Sequence, residues 1–449
     1  MKTVHLFLGV GILGVMGIIP PRSAGATTCS AAGGCGNSVS SDYSQVLAGS
    51  ANQIAAGAHY SVIDGGRSNY ISSLSAYGAI TGGYSNEIDS NGPYCYIGGG
   101  LNNYIYGGLS GNLGQANVIV GGDGNRISAV NSYAYIGGGQ NNVISATNSL
   151  GEFIGGGQAN LVKTGGNDCV ILGGYGNATS GQYASVAGGY INSASGFNAG
   201  ALGGYANAAT GSGAVTLGGG FNTAGGNFSV AAGDMANADQ NSCFVWADTS
   251  GAQQTCKVYP RNGTAYSVSN AFIARATGGF QFLTNTIGTP LTGVYLGAGS
   301  SVWTQVSDRN KKHGFLEVDE RDALRRVAAM PITTWEYDAE ANGARHMGPM
   351  AQDLYAAFGL GEDDKHVTSV DEDGVAMAAI QGLHAQQKER EAEVRALADR
   401  VSALEKRNAE QRSAVSAEES RATALEERFR KLKARLAASR APRATEVRP

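Results

Sequence analysis

The chain has 449 residues, with 68 glycines, 32 Lys and Arg, 36 Asp and Glu, and a formal net charge of −4. Residues 1–306 hold 61 of the glycines and 18 of the charges, whereas residues 307–449 hold 7 glycines and 50 charges. So uneven a chain is at least two physical objects, divided near Val306 and Ser307, which excludes one globular enzyme with a uniform core. The glycines do not recur every third residue, which excludes collagen. Each half is close to neutral, so nothing indicates a nucleic-acid partner.

The first residues read as a targeting segment. Lys2 supplies a positive start, Leu6 to Ile19 an apolar run, and Ala24-Gly25-Ala26 a small-residue cleavage site. The expectation is a secretory signal peptide over residues 1–26. A membrane anchor is disfavoured because the run is short and ends at Pro20-Pro21. No later stretch is apolar enough to span a bilayer, and the mature chain is expected to meet an oxidising compartment.

After a lead-in over residues 27–45, an internal repeat runs through residues 46–240. Its unit is apolar–Gly–Gly–x–x–Asn, phased on Asn52, Asn69, Asn86, Asn103, Asn125, Asn142, Asn160, Asn177, Asn192, Asn207, Asn222 and Asn237. The spacing is 17 or 18 residues early and 15 late, with one gap of 22 that marks an insertion around Gly107–Gly114. Two residues after the asparagine stand Ile54, Ile71, Ile88, Ile105, Ile127, Ile144 and Val162, then Thr179, Ala194, Ala209 and Ala224. The repeat shortens where this residue shrinks, as expected if a shorter coil encloses a narrower core.

Two glycines per unit would cost a helix about 2 kcal/mol. They suit tight corners between short strands instead. The prediction is a parallel β-roll or solenoid, with Val215 and Leu217 on an inward strand face and the asparagines hydrogen-bonded in a ladder. Stacked coils rise about 4.8 Å each, so twelve make a rod of about 55 Å. Units such as Asn207–Phe221 resemble the head repeats of YadA-like trimeric adhesins, a resemblance that implies a trimeric, left-handed parallel β-roll. No membrane-anchoring barrel is recognisable toward the C-terminus, so a cell-anchored autotransporter is disfavoured. A calcium-binding nonapeptide repeat would need a phased aspartate, and only Asp123 comes near such a position.

Tyr175, Tyr190 and Tyr205 stand two residues before successive asparagines. A structural aromatic ladder is the preferred reading, with contact to a glycan the alternative. Cys95 and Cys169 share one column four coils apart, about 19 Å, too far for a bridge. Cys29 with Cys35, and Cys243 with Cys256, are candidate local disulfides, the second closing a hairpin around Asp248–Gly251. No Cys or His pattern suggests a metal, and no cofactor is expected. Residues 241–302 read as a β-rich neck, with strands at Cys243–Trp246, Ala271–Arg275 and Gly293–Leu296.

At Val306-Ser307-Asp308-Arg309-Asn310-Lys311-Lys312 a serine precedes a lysine by five residues. A serine attacks only when a base takes its proton, and a lysine is that base only when neutral. Spacing alone would favour a solvated turn. This segment, with Pro331–Trp335, the block Arg345–Asp353 and Gly374–Gln381, resembles the peptidase S74 domain of phage tail spikes and fibres. Gly348, Ala351 and Gln352 carry the family block. The resemblance covers about residues 303–405, with the domain placed at 303–383. It implies an intramolecular chaperone that drives trimer assembly. It also implies a single-turnover cleavage at Val306, Ser307 or Asp308, with Ser307 the nucleophile and Lys312 its general base. Asn310 stands where the family has arginine, with Arg309 one place early. Lys311 is expected on an extended segment, facing away from Lys312.

Residues 384–437 carry apolar positions three and four apart, with Val394, Val401 and Val415 at a and Leu397, Leu404 and Leu425 at d. A coiled coil is expected there, with a disordered tail over residues 438–449. The predicted fold is therefore a mainly β N-terminal half, a parallel solenoid, followed by an α+β chaperone domain that ends in a coiled-coil helix. The expected function is a secreted, self-cleaving homotrimeric fibre or adhesin with a cell-surface glycan or receptor as outside partner. The alternatives are a polysaccharide-degrading spike and a non-cleaving adhesin. The 10 acids of the first 306 residues form no motif pair of the kind glycan hydrolysis uses.

Overall fold

A computed structural model of the chain describes residues 36–439, apart from residues 90, 108–114, 129–132, 146–149, 164, 166, 259–264, 285–292 and 341–342. The signal segment, Cys29, Cys35, most of the 107–114 insertion and residues 440–449 lie outside the described residues. The chain forms two compact units, Met1–Val306 and Ser307–Pro449, divided where the composition changes.

The first unit is a parallel β-solenoid. Two sheets of fourteen strands each run along it, and every coil contributes one short strand to each sheet. The first sheet begins at Ser38–Val39 and ends at Gln254–Thr255, and the second runs from Gln45–Val46 to Phe272–Arg275. The winding therefore extends past both ends of the repeat signal, into the lead-in and most of the predicted neck. An antiparallel three-stranded sheet, Gly279–Leu283, Gly293–Gly297 and Trp303–Gln305, follows it.

The core is two facing columns. The first sheet supplies the column seen in the sequence, from Ile54 to Ala224, at 1% exposure or less. The second supplies Val46, Ile63, Ile80, Ile97, Ile119, Ile136, Ile154 and Ile171, then Val186, Ala201, Thr216 and Ala231. Both taper toward alanine in the same coils, so the narrowing is shared. The two residues lost from the late coils come from one turn. Ile54 precedes Ile63 by nine residues, Ala209 precedes Thr216 by seven, and the spacing from the second column to the asparagine stays at six.

One assignment is corrected here. Val215 and Leu217 point outward, and Thr216 between them is the buried residue. Register places Thr216 opposite Ala201 and Ala231, so the coil interior takes the small polar residue and leaves the leucine outside.

The asparagines form a continuous buried ladder. Asn142 donates from Nδ2 to the carbonyls of Gly138 and Gly157, both at 2.9 Å, and to Asn125 Oδ1 at 3.1 Å. Its own Oδ1 accepts from Asn160 N at 3.0 Å and Asn160 Nδ2 at 3.1 Å. Asn37 starts the ladder by accepting from Asn52 N. Asn237 is not part of it: Ala236 N donates to Asn222 Oδ1 in its place. The coil after Asn222 is one residue shorter than the period of 15, which moves Asn237 off the column.

The second glycine of each pair is required by this stacking. Gly139 has φ +87°, and a Cβ there would lie 2.0 Å from Gly157 O and 2.8 Å from Asn142 Nδ2. A Cβ on the first glycine would meet no atom so closely, and alanine stands there at Ala48 and Ala232. Non-glycine residues also adopt positive φ at both corners of the coils, among them Tyr43, Tyr60, Tyr77, Ala159 and Ile191. Each costs about 1 kcal/mol in isolation, so the ladders must hold them there.

Cys243 and Cys256 are joined by a disulfide. It closes no hairpin, because the flanking strands Phe244–Ala247 and Gln254–Thr255 belong to different sheets. Both sulfurs lie in the core, so the bridge staples the two sheets together near the end of the winding. Cys95 and Cys169 are buried free thiols. Burial pushes the Cys169 thiol up, which makes it inert. Beyond the disulfide, Asp248 ties the last coil. Its carboxylate accepts from Thr277 Oγ1 and N, both at 2.6 Å, and from Arg275 Nε at 3.2 Å. The Thr277 donors hold this carboxyl well below the usual range.

The second unit holds α1 (Glu320–Ala329), an antiparallel pair Thr333–Trp335 and His346–Gly348, α2 (Ala351–Phe358) and α3 (Ser369–Ser439). Asp319 caps α1 by accepting from the N–H groups of Arg321 and Asp322. Gly382 lets α3 approach α1 closely, since a Cβ there would meet Glu320 O at 2.1 Å. α3 has 71 residues, about 106 Å at 1.5 Å per residue. Among the described residues no helix is long and apolar enough to cross a membrane.

Replacing Asn142 by alanine should remove the side-chain partners of Asn160 N and Gly138 O inside the stack, while Gly157 O keeps Gln140 N. At about 1–3 kcal/mol for a buried group left unsatisfied, the loss should be at least ~2 kcal/mol. Urea unfolding followed by far-ultraviolet circular dichroism measures it, and an unchanged midpoint would deny the ladder its role.

Candidate functional site

The segment from Ser307 to Lys312 is a turn, not the extended stretch expected for Lys311. Residues Arg309–Lys311 form one turn of 3-10 helix, with Lys311 N donating to Asp308 O and Lys312 N to Arg309 O, both at 3.1 Å. The turn folds the chain back between the two residues that flank it, Ser307 and Lys312. Lys312 Nζ accordingly donates to Ser307 Oγ at 2.7 Å. Both residues are exposed in the single chain.

Asp308 holds the turn together. Its Oδ1 accepts from Asn310 N at 2.9 Å and from Asn310 Nδ2 at 3.1 Å. Asn310, where the family pattern has arginine, is thus absorbed in the cap. The Arg309 guanidinium lies over the Phe315 ring, 5.7 Å from its centre. The sequence marks Asp308 as part of the family's opening motif and as a neighbour of the expected cleavage site. Its capping role has a familiar sequence signal, an aspartate at the start of a turn.

Gly348, Ala351 and Gln352 fall at the junction of the second strand with α2: Gly348 ends His346–Gly348, and Ala351 and Gln352 open the helix. The residues just before them lock the hairpin. Arg345 donates to Glu336 Oε1 and Thr334 Oγ1, both at 2.8 Å. His346 stacks on Trp335 with ring centres 4.7 Å apart and contacts Glu340 Oε2 at 2.9 Å.

The tyrosine stripe is a stack. Tyr175 and Tyr190 have ring centres 4.9 Å apart and planes 7° from parallel, and Tyr190 and Tyr205 are 5.3 Å apart at 9°. The rings therefore cover each other's faces, and Tyr190 presents only edge and hydroxyl to the outside. A second stack, Tyr43–Tyr60–Tyr77–Tyr94, has spacings of 4.9 to 5.0 Å. Its signal in the sequence is tyrosine nine residues before four successive asparagines, Asn52 to Asn103. Among the described residues no group of three or more His, Cys, Asp or Glu could hold a metal ion.

Residues 307–360 match the Peptidase_S74 family model, described as the chaperone of endosialidase. The match begins at Ser307 itself and takes in the turn, α1, the hairpin and α2. The start of the second unit is thus similar to Peptidase_S74, and α3 lies wholly beyond the matched residues. The β-solenoid before it fits the head of a repeat adhesin or tail spike. No curated protein matches the chain.

If Asp308 sets the distance between Ser307 and Lys312, its alanine variant should lose about 1 kcal/mol of turn stability, the usual worth of such a cap. Any cleavage at this site should slow about 5-fold. Asp308→Asn keeps an acceptor and should restore most of the rate in a time course on denaturing gels. Equal rates in all three proteins would remove Asp308 from the site.

Proposed function

We propose that the protein is a secreted homotrimeric fibre whose C-terminal unit assembles the trimer and is then released by self-cleavage at Ser307. The observation that carries the reading is the 2.7 Å contact of Lys312 Nζ with Ser307 Oγ, placed at the boundary of the two units. Secretion is supported by the Lys2-to-Ala26 pattern and by the Cys243–Cys256 disulfide.

Trimer assembly is supported by what the second unit lacks. Among its described residues the only buried hydrophobic side chains are Ala323, Leu354, Val375 and Ala379. Phe315, Leu316, Val318, Met347 and Met377 are 62–90% exposed. Val394, Val401 and Leu404 on α3 are more than half exposed. Most helix stability in proteins comes from packing an apolar face, and partner copies would bury this bare seam as a coiled coil. Three chains joined here raise one another's effective concentration, which offsets the slow nucleation of long-range β contacts.

The cleavage proceeds without a cofactor. Neutral Lys312 takes the Ser307 hydroxyl proton, and Oγ attacks the carbonyl carbon of Val306 or of a neighbouring chain. The C–N bond breaks, Lys312 returns the proton to the leaving amine, and water hydrolyses the resulting ester. Attack on the carbonyl of Ser307 itself would need a four-membered ring. Lysine is neutral only when sheltered from water. Both side chains are exposed in the single chain, so in this reading neighbouring copies supply the shelter and cleavage waits for assembly. Release then leaves a closed fibre that is kinetically trapped.

Expression of the wild type beside Ser307→Ala and Lys312→Ala tests this. A fragment of about 15 kDa, close to the mass of residues 307–449, should appear on denaturing gels only for the wild type. A wild type that stays full length would refute the proteolysis and leave a non-cleaving adhesin.

A further inference from the structure

The two sheets of the solenoid differ on their outer faces. On the first sheet the residues flanking the buried column include Glu87, Asp89, Arg126 and Lys163, with serine and threonine in most late coils. On the second sheet, from Gln45 to Trp246, Asp64 is the one charged residue among the flanking positions. That face instead exposes Val120, Leu172, Leu202 and Leu217, each 44–58% accessible, beside half-buried Val170 and Val215. An apolar column of this length on a soluble protein marks a contact surface.

The face is also kept flat. Tyr96, Tyr135 and Phe153 stand in line on it, each followed two residues later by a glycine. A Cβ built on Gly98, Gly137 or Gly155 would lie 3.3–3.4 Å from the ring of the aromatic before it. The rings thus lie down across the glycines and do not project from the sheet.

We infer that the outer face of the second sheet is where copies of this chain pack against one another, three such faces turned toward a shared axis with their coils in register. The periodicity argues for a second copy as occupant. Apolar side chains recur once per coil, about 4.8 Å apart, so a partner that matches them along the whole rod must carry the same repeat. Fourteen strands span about 62 Å, and a strip about 10 Å wide gives roughly 600 Å² per chain, short of the ~800 Å² each partner brings to a stable interface, so the face adds to the contacts of the C-terminal unit and does not replace them. The inference rests on the trimer proposed above and adds which surface forms it.

Single cysteines test it in the full chain carrying Ser307→Ala. Leu202→Cys sits on the second sheet and Thr210→Cys on the first, both at exposed positions that leave the core untouched. A bismaleimide spanning about 10 Å, the usual distance between packed sheets, is added, and chains are resolved on denaturing gels against the same chain without the added cysteine. Cross-linked chains at Leu202→Cys and none at Thr210→Cys are expected. Cross-linking at Thr210→Cys alone would overturn the choice of face and leave the trimer standing. No cross-link at either position in a protein that sediments as a trimer would do the same. No cross-link in a protein that sediments as a monomer would overturn both the face and the trimer.

Discussion

Each buried asparagine reaches the coil behind it and the coil ahead of it, and the solenoid depends on that reach. The side chain joins backbone groups that a corner would otherwise leave unpaired in the interior, where a lost partner costs more than a hydrogen bond gains. Because Asn Oδ1 accepts from the next asparagine in eleven consecutive steps from Asn37 to Asn222, every coil is held at the same phase. The close approach forces glycine at positions such as Gly139, and tyrosine adopts positive φ at the other corner. From Asn52 to Asn222 the coils gain or lose residues in the turn opposite the asparagine, where the long insertion also falls.

The same constraint decides what the sequence made legible. The asparagine column, one isoleucine column and the four-coil separation of Cys95 and Cys169 could be read by counting, because a solenoid repeats in sequence what it repeats in space. Errors arose where local chemistry ran against the period. Asn237 has the right residue at the expected spacing, but the coil after Asn222 is one residue short. Leu217 looks like a core residue and Thr216 does not, yet the narrow late coils accept threonine and expel leucine. Winding past residue 240 left no trace because Gly-Gly and asparagine disappear there while strand pairing continues.

At the candidate site the pair Ser307 and Lys312 was legible from a family pattern. Their contact was not, since it depends on the 3-10 turn that Asp308 caps. Spacing of five in an extended strand would have separated them. The near absence of a core after Ser307 could not be read either, because the apolar residues are present in the sequence and only the fold leaves them uncovered. The two units are thus opposite solutions to one problem. The solenoid satisfies its interior coil by coil, while the C-terminal unit leaves its apolar residues exposed, which is the property the proposed assembly role needs.

That contrast makes the concentration dependence of helix content the most direct measurement. The chain with Ser307→Ala, which keeps both units together, is diluted from high to low micromolar and followed by circular dichroism at 222 nm alongside sedimentation. The account predicts that helical signal from α3 falls as the assembly dissociates, while the β signal of the solenoid persists. A monomer that keeps the full helical signal at every concentration would contradict it.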